Sequence, residues 1–480
     1  MLDYGILAPI MFAGLIVFLL IGFPVTFSLS ALGLFFGMIA IEVGYFDLVF
    51  LQALPYRIYG IMSNDLLLAI PFFTFMGVIL ERSGLAEDLL EGVGQAFGGI
   101  PGGLAYAVIF VGAILGAITG TVAASVIAMG MISLPIMMKY GYDMKLGTGV
   151  IAASGTITQV IPPSLVLIIL ADQLGVSVGD MYTGAIGPSL MQIALFTLFI
   201  FLVSIFRPHL MPPLPPEART LRGWPLVSKV AWGMIPSLAL IFLVLGTIFM
   251  GLATPTEAGA MGVVGAMVLA VLHGRASLPL LWSAMEQTMR ITAMVVFILL
   301  GATVFSLVFQ GVNGSRWIEH LLSGIPGGAL GFLIFVNIFI FFLAFFLDFF
   351  EIVFIVVPLL VPVAVGLDIN LIWFGLLLCV NMQTAFMHPP FGFALFYLRG
   401  IAPPEVKSRD IYLGSIPWIF LQLILVAILI FFPQSVTYLL TDHVLLDADA
   451  VNSALDALSI PDIGLEGLDM PLDLGIGPTE

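Results

Sequence analysis

Stretch after stretch of this chain is long and apolar enough to cross a bilayer. Segments 5–41, 186–206 and 411–432 carry almost no charge, and each holds the roughly 20 apolar residues a membrane-spanning helix needs. Such stretches recur over nearly the whole length, with no soluble domain between them. Charged residues make up 9% of the chain, against roughly 25% in soluble domains. The expected fold class is an all-α polytopic membrane protein. The first apolar stretch reads as a retained helix, because residues 1–4 contain no Lys or Arg and Phe23-Pro24 leads straight into further apolar chain.

The chain also repeats itself at a separation of about 225–230 residues. Gly99-Ile100-Pro101-Gly102-Gly103 returns as Gly324-Ile325-Pro326-Gly327-Gly328, and Pro162-Pro163 returns as Pro389-Pro390. Asp180-Met181-Tyr182-Thr183-Gly184 is matched by Asp410-Ile411-Tyr412-Leu413-Gly414, and all anchors keep their order. Charges on matching loops differ in sign. Lys139 and Lys145 follow Pro135, whereas only Asp368 follows Pro362; Asp172 and Asp180 precede Tyr182, whereas Arg399, Lys407 and Arg409 precede Tyr412. Short basic loops stay cytoplasmic, so equivalent loops face opposite sides, as in inverted-topology repeats.

This reading gives a first repeat over 1–206, a cytoplasmic linker over 207–229 with four bases and six prolines, and a second repeat over 230–435. The first half fits an N-in start. About 11–12 transmembrane helices are expected, with two re-entrant hairpins near 112–138 and 345–365 and broken helices near 148–171 and 371–398. A plain count gives six spans per half, an even number at odds with inversion. One stretch must fail to cross, and the Pro-interrupted 251–255 neighbourhood is the candidate. Segments 46–59 and 278–290 read as helices lying flat at the interface, and 87–91 and 316–319 as short connecting helices. Nine of the 29 acidic residues follow Thr441, so without the tail 14 bases face 20 acids. The tail over 436–480 reads as acidic and disordered. No basic patch points to nucleic acid.

Several polar groups fall inside apolar segments. Gly112, Gly116 and Gly120, spaced by four, let another helix approach closely, and Thr119-Gly120-Thr121 is a candidate hairpin tip, with Ser125 one turn on. Exposed carbonyl and hydroxyl oxygens there suit Na⁺, a hard cation; helix packing with back-bonded hydroxyls accounts for the same residues. Pro162-Pro163 must break a helix, directly after Ser154, Gly155, Thr156 and Thr158; Pro389-Pro390 does so after Asn381, Gln383, Thr384 and His388. Matched broken helices with polar residues at the gap mark a midplane binding site. Asp348 either offers a carboxylate to a cation or sits at an interface. His388 reads as a hydrogen-bonded group, and Glu257 as part of a helix start capped by Thr254 or Thr256. There is no Gly-Lys-Ser/Thr P-loop and no His-Glu-x-x-His, and Cys379 is the single cysteine, which excludes a disulfide framework within the chain. No catalytic constellation competes, so the chain reads as no enzyme.

Taken together, Ile70-Pro71-Phe72-Phe73-Thr74-Phe75-Met76-Gly77, Gly99 to Gly103, Gly116 to Ser125, Thr156 to Ser164 and Thr254-Pro255-Thr256-Glu257-Ala258 resemble the large membrane subunit of TRAP (tripartite ATP-independent periplasmic) transporters, over roughly 5–435. The resemblance implies a bacterial inner-membrane protein that works with a small four-helix membrane subunit and a periplasmic substrate-binding protein. It implies Na⁺-coupled uptake of an organic acid by an elevator movement. It places one Na⁺ site on Thr119, Thr121, Ser125, Gly155, Thr156 and Thr158, and a second on Asp348, Asn381, Gln383 and Thr384. The breaks carry no Lys or Arg, so bound Na⁺ and half-helix N-termini would supply the positive field for an anion. The competing readings are a stand-alone ion-coupled carboxylate permease and a non-transporting scaffold subunit.

Overall fold

Gly120 and its counterpart turn before Asp348 decide the architecture, because they fold two apolar helix pairs back on themselves. The structure, a computed structural model, describes residues 5–21, 23–389 and 392–440; the tail expected from 436 lies outside the described residues beyond 440. Every regular element described is a helix. The first half comprises α1 (Leu7–Ile21), α2 (Val25–Val43), α3 (Ala53–Met62), α4 (Asp65–Arg82), α5 (Leu85–Phe97), α6 (Gly103–Thr119), α7 (Val122–Lys139), α8 (Met144–Thr156), α9 (Leu165–Leu174) and α10 (Val178–Phe206). The second half begins with α11 (Trp224–Phe249), α12 (Pro255–Leu272), α13 (Leu278–Gly311), α14 (Gly314–Ser323) and α15 (Gly328–Leu343). Then α16 (Phe349–Glu351) continues through a π-turn (Ile352–Val356) into α17 (Val357–Gly366). The chain finishes with α18 (Leu371–Met382), α19 (Phe393–Ile401), α20 (Ser408–Phe431) and α21 (Gln434–Thr437).

Gly120 has φ +61, a left-handed conformation that glycine adopts without steric cost. Register against α8 and the residues after it shows the reversal. Gly112 and Gly116 of α6 lie against Ser154 and Thr158, whereas Val126 and Met137 of α7 lie against Gly155 and Gly147. Thus α6 runs parallel to this segment and α7 antiparallel. Both ends of the hairpin are fastened to the linker. Gly102 N–H donates to Met211 O at 2.9 Å and Asp143 N–H to Leu210 O at 2.8 Å. Leu104 N–H also donates to the Tyr142 hydroxyl, whose burial pushes its pKa up to about 12 and keeps it neutral. In the second half Phe335, Val336 and Phe339 share a cleft with Val356, Leu359 and Leu360, so α15 and α17 form the matching hairpin.

The same hydrogen-bond registers establish inversion. Tyr182 Oη donates to Ser164 O (3.4 Å) and Ser189 Oγ to Val160 O (2.9 Å), so α10 runs antiparallel to the α8–α9 segment. Gly414 lies against Lys145 and Gln422 bonds Thr156, so α20 runs parallel to α8. The equivalent helices α10 and α20 therefore point in opposite directions. Around these elements stand α2 with α13 and α4 with α12, held close by glycines: Gly33 and Gly37 meet Val304 and Val308, and Gly259 and Gly262 meet Phe73 and Met76.

The odd-number problem resolves at 101–116 rather than at 251–255. The first is a hairpin arm that leaves by the face it entered, whereas α11 and α12, flanking Gly251, run 26 and 18 residues and both qualify as spans. Among the described residues each half then makes five passes, ten in all, or twelve when the two parts of each broken helix are counted singly. Of the 14 Lys and Arg, only Arg57 and Arg316 lie on the face opposite the linker, the bias that a cytoplasmic linker would show. Five passes lead back from the linker to α1, so Leu7 and the linker lie on opposite faces, and a cytoplasmic linker is at odds with the expected N-in start. Two further boundaries differ. Helix α11 begins at Trp224, shortening the linker, and 278–290 is the first part of the continuous 34-residue α13 instead of a flat helix.

Candidate functional site

The two helix breaks lie at the centre. Helix α8 ends at Thr156, passes through a 3₁₀ turn (Ile157–Gln159) and reaches Pro162-Pro163, whose peptide bond is cis. Ser164 restarts the chain as α9: its hydroxyl donates to Gln159 O (2.7 Å) and accepts from Val166 N–H (3.2 Å), an N-cap of the usual kind. In the second half α18 ends at Met382, a 3₁₀ turn covers Gln383–Phe386, and Gly392 precedes α19. A Cβ on Gly392 would sit 2.5 Å from Phe386 O, so only glycine fits this return of the chain. Pro390, expected as part of the break, lies outside the described residues.

Both hairpin tips point at these breaks. Gly120, Thr121, Val122 and Ala123 line a cavity of about 170 Å³ together with Gln159, Leu165 and Val166 from the first break. Phe349 and Phe350 come from the second tip, Phe386 and Tyr397 from the second break, and Ile291 and Met294 from α13. The starts of α7, α9 and α16 all border it, and no charged side chain is among these lining residues. Of these starts only that of α7 lacks a side-chain cap, and its unbonded N–H groups and dipole favour an anion.

Of the first set of expected ion ligands, Gly155 lies against Val126 and Thr158 against Gly116, so the hairpin tip covers the first break. Thr156 and Thr158 are fully buried; Thr156 Oγ1 donates to Ala153 O (2.8 Å), and Thr158 Oγ1 has no partner among the described residues. Ser125 is fully buried, Thr121 forms the N-cap of α7, and the Thr119 side chain lies outside the description. In the second set, Asn381 donates to Asn337 O (2.7 Å) and Oδ1 (3.0 Å), and Thr384 Oγ1 donates to Asn381 O (2.7 Å). Asp348 is committed to a capping box: its carboxylate accepts from Glu351 N–H (2.8 Å), and Glu351 accepts from Asp348 N–H (3.0 Å). Both acids also line a second cavity of about 390 Å³ with Phe345, Ala385 and Phe386. His388 stacks on Phe345 with ring centroids 3.9 Å apart. Glu257 completes a capping box with Thr254, while Thr256 donates to Asp65 O.

Three residues at the centre escape a reading of the breaks alone. Gln192 Nε2 donates to Gln383 Oε1 (2.6 Å), and Gln422 Nε2 reaches both Gln383 Oε1 (3.1 Å) and Thr156 Oγ1 (3.2 Å), all four groups fully buried. Asn337 is the third. The signal was present in the repeat: the offset that carries Asp180 to Asp410 carries Gln192 to Gln422.

Inverted repeats, paired hairpin tips and matched helix breaks around a central cavity define a membrane protein of the secondary-transporter build. Comparison with known proteins gives the family. Residues 12–435 match the model for the DctM component of the tripartite ATP-independent periplasmic transporters, and the chain belongs to that family, whose members are large permease subunits of the inner membrane. It is 28% identical to the C4-dicarboxylate TRAP transporter large permease protein of Pseudomonas aeruginosa, over 80% of this chain and 88% of the relative. It is 29% identical to the ectoine/5-hydroxyectoine TRAP transporter large permease protein of Ruegeria pomeroyi, over 90% and 98%. The fold also matches the YdaH transporter of Alcanivorax borkumensis, with a TM-score of 0.56 at 16% identity, covering 89% of this chain and 98% of that one.

Proposed function

We propose that this chain is the translocating subunit of a Na⁺-coupled importer of an organic acid, which a periplasmic binding protein delivers and a small membrane subunit helps to scaffold. The observation that carries the reading is the central cavity: the starts of α7 and α9 border it and no basic side chain lines it. A carboxylate there needs positive charge from the helix ends and from bound cations. Oxygens for Na⁺ are at hand. Thr158 Oγ1, Gln159 Oε1 and Asn381 Oδ1 are buried without a partner among the described residues, a state that costs about 1–3 kcal/mol each unless something binds them. The first Na⁺ would be held around Thr119, Thr121, Ser125, Gly155, Thr156 and Thr158, the second around Asn381, Gln383 and Thr384 with Asp348 at the facing tip.

The hairpins and broken helices form one group of elements, while α2, α4, α12 and α13 form the other. The cavity lies where the groups meet, since Ile291 and Met294 come from α13. Movement of the first group against the second, an elevator, would carry the cavity from one face to the other. Relatives of nearly equal identity are named for C4-dicarboxylates and for ectoine, so the particular acid does not follow from similarity.

The test is uptake into proteoliposomes holding this chain and its small subunit, with a loaded binding protein and labelled acid outside. Accumulation that needs both an inward Na⁺ gradient and the binding protein supports the proposal. Uptake that persists without the binding protein replaces it with a stand-alone permease, and uptake driven by protons alone removes the Na⁺ assignments.

A further inference from the structure

The hydrogen-bonded chain at the centre of the molecule is more than a filling of polar core. The offset of the Asp180 and Asp410 anchors makes Gln192 and Gln422 equivalent, and the offset of the proline pairs makes Thr156 and Gln383 equivalent. The contact of Gln192 with Gln383 (2.6 Å) is therefore the repeat mate of the contact of Gln422 with Thr156 (3.2 Å). Each ties the last helix of one repeat to the break of the other.

With threonine at both breaks these would be two separate pairs. The longer side chain at Gln383 changes the connectivity, because its Oε1 accepts from Gln192 and from Gln422 together (2.6 and 3.1 Å). One path then runs from Thr156 through Gln422 to Gln383, joining the two breaks. Thr156 lies beside Gly155 and two residues from Thr158, and Gln383 lies between Asn381 and Thr384. Its hydroxyl proton is already given to Ala153 O (2.8 Å), so Thr156 meets Gln422 as an acceptor only. All members are fully buried, where a hydrogen bond lost is not replaced by water. An ion that reorients either break must move the shared amide of Gln422.

We infer that Gln422 is a positioning residue that couples the two helix breaks, so that cations at the two sites load cooperatively. This rests on the Na⁺ reading above. Gln192 supplies the control: it is the repeat mate of Gln422 and equally buried, but it hydrogen-bonds to only one break. Removing it leaves the path between Thr156 and Gln383 intact.

The experiment measures uptake against Na⁺ concentration in proteoliposomes of the full system, together with thermal stability of the purified chain against Na⁺. The variants are Gln422→Leu, Gln422→Met and Gln192→Leu. The wild type and Gln192→Leu are expected to respond to Na⁺ with a Hill coefficient above one. For Gln422→Leu and Gln422→Met the coefficient falls toward one and half-saturating Na⁺ rises about 5-fold or more, the low end of ordinary coupling between sites. Folding is secured for Gln422→Leu because each former partner keeps another bond, Gln383 to Gln192 and Thr156 to Ala153. Unchanged steepness in Gln422→Leu overturns the inference, as does equal loss in Gln192→Leu, which would mark a purely structural role. A wild type that depends on Na⁺ with a coefficient of one overturns the inference alone, whereas a wild type indifferent to Na⁺ overturns the proposed function as well.

Discussion

Gly414→Ala tests whether the close approach of α8 and α20 sets the geometry of the centre. A Cβ at Gly414 would stand 2.3 Å from the carbonyl oxygen of Lys145, which is backbone and cannot swing away. Ordinary contact begins near 3.4 Å, so α20 must move out by about 1 Å. Overpacking of this kind costs roughly 1–3 kcal/mol. The same shift takes the 3.2 Å bond from Gln422 to Thr156 beyond hydrogen-bonding range, adding about 1 kcal/mol. The expected total of about 2–4 kcal/mol is a large share of any protein's stability. Its repeat mate is the comparison. A Cβ at Gly184 meets only side-chain methyls of Leu376, Ile372 and Val436 at 3.0–3.3 Å, which can give way, so Gly184→Ala is expected to cost under about 1.5 kcal/mol. Thermal unfolding of the purified variants, followed by uptake, reads both effects. A Gly414→Ala protein as stable and active as the wild type, or a Gly184→Ala protein equally damaged, would refute the argument from backbone contact.

Three further outcomes follow from the same structure. Because Cys379 is fully buried, an impermeant thiol reagent should label Ser63→Cys and Asp368→Cys from outside and Lys145→Cys only after permeabilisation; outside labelling of Lys145→Cys would invert the assigned topology. Asp348→Asn keeps an acceptor for Glu351 N–H, whereas Asp348→Ala loses the cap at about 0.5–2 kcal/mol. The alanine variant should therefore melt lower than the asparagine one, and equal melting would show that the capping box does not hold the tip. Lys229, which pairs with Glu91 and Asp88 at a half-exposed site, should tolerate Lys229→Ala with a change below about 1 kcal/mol, and a larger drop in melting temperature would show that this pair anchors the start of α11.

What the sequence made legible depended on whether the signal was local. The breaks at Pro162 and Pro389, the turn at Gly120 and the cap of Thr254 by Glu257 each act on the backbone within a few residues, and each can be read from residue types alone. The sidedness of Leu7 could not be, because it depends on whether residues 101–116 cross the membrane or turn back. That is decided by contacts with Ser154, Thr158 and Met211, far away in the chain. The glutamines were hidden for a related reason. A single Gln in an apolar helix carries no mark of its partner, and Gln192 meets Gln383 across 191 positions. Only the repeat, applied beyond the anchors that revealed it, picks out Gln192 and Gln422 together. The flat helix expected over 278–290 is instead the first part of α13, along which the exposed Arg290–Glu286 pair lies one turn apart.

The differences between the halves carry as much information as their likeness. Backbone features are duplicated: glycine before each hairpin's first arm, a helix start at each tip, a 3₁₀ turn at the end of each polar run. Side chains at equivalent places are not. Thr121 stands before the second arm of one hairpin without a capping side-chain bond, whereas Asp348 caps that of the other. Gly112 lies against Ser154 where the other repeat sets Asn337 against Asn381, and Thr156 stands where the other has Gln383. The duplicated features hold two hairpins and two broken helices around one cavity, so they can be retained by the fold alone. The unduplicated ones give the two breaks different oxygen sets, one neutral and richer in hydroxyls, the other richer in amides with a carboxylate at the facing tip. Two sites that differ in charge and ligand type cannot bind the same cation with equal affinity. On the proposed Na⁺ reading, Na⁺ dependence should therefore separate into unequal sites once Gln422 is replaced, with the site on the Asn381 side responding to Asp348→Asn and the site on the Thr158 side unaffected by it.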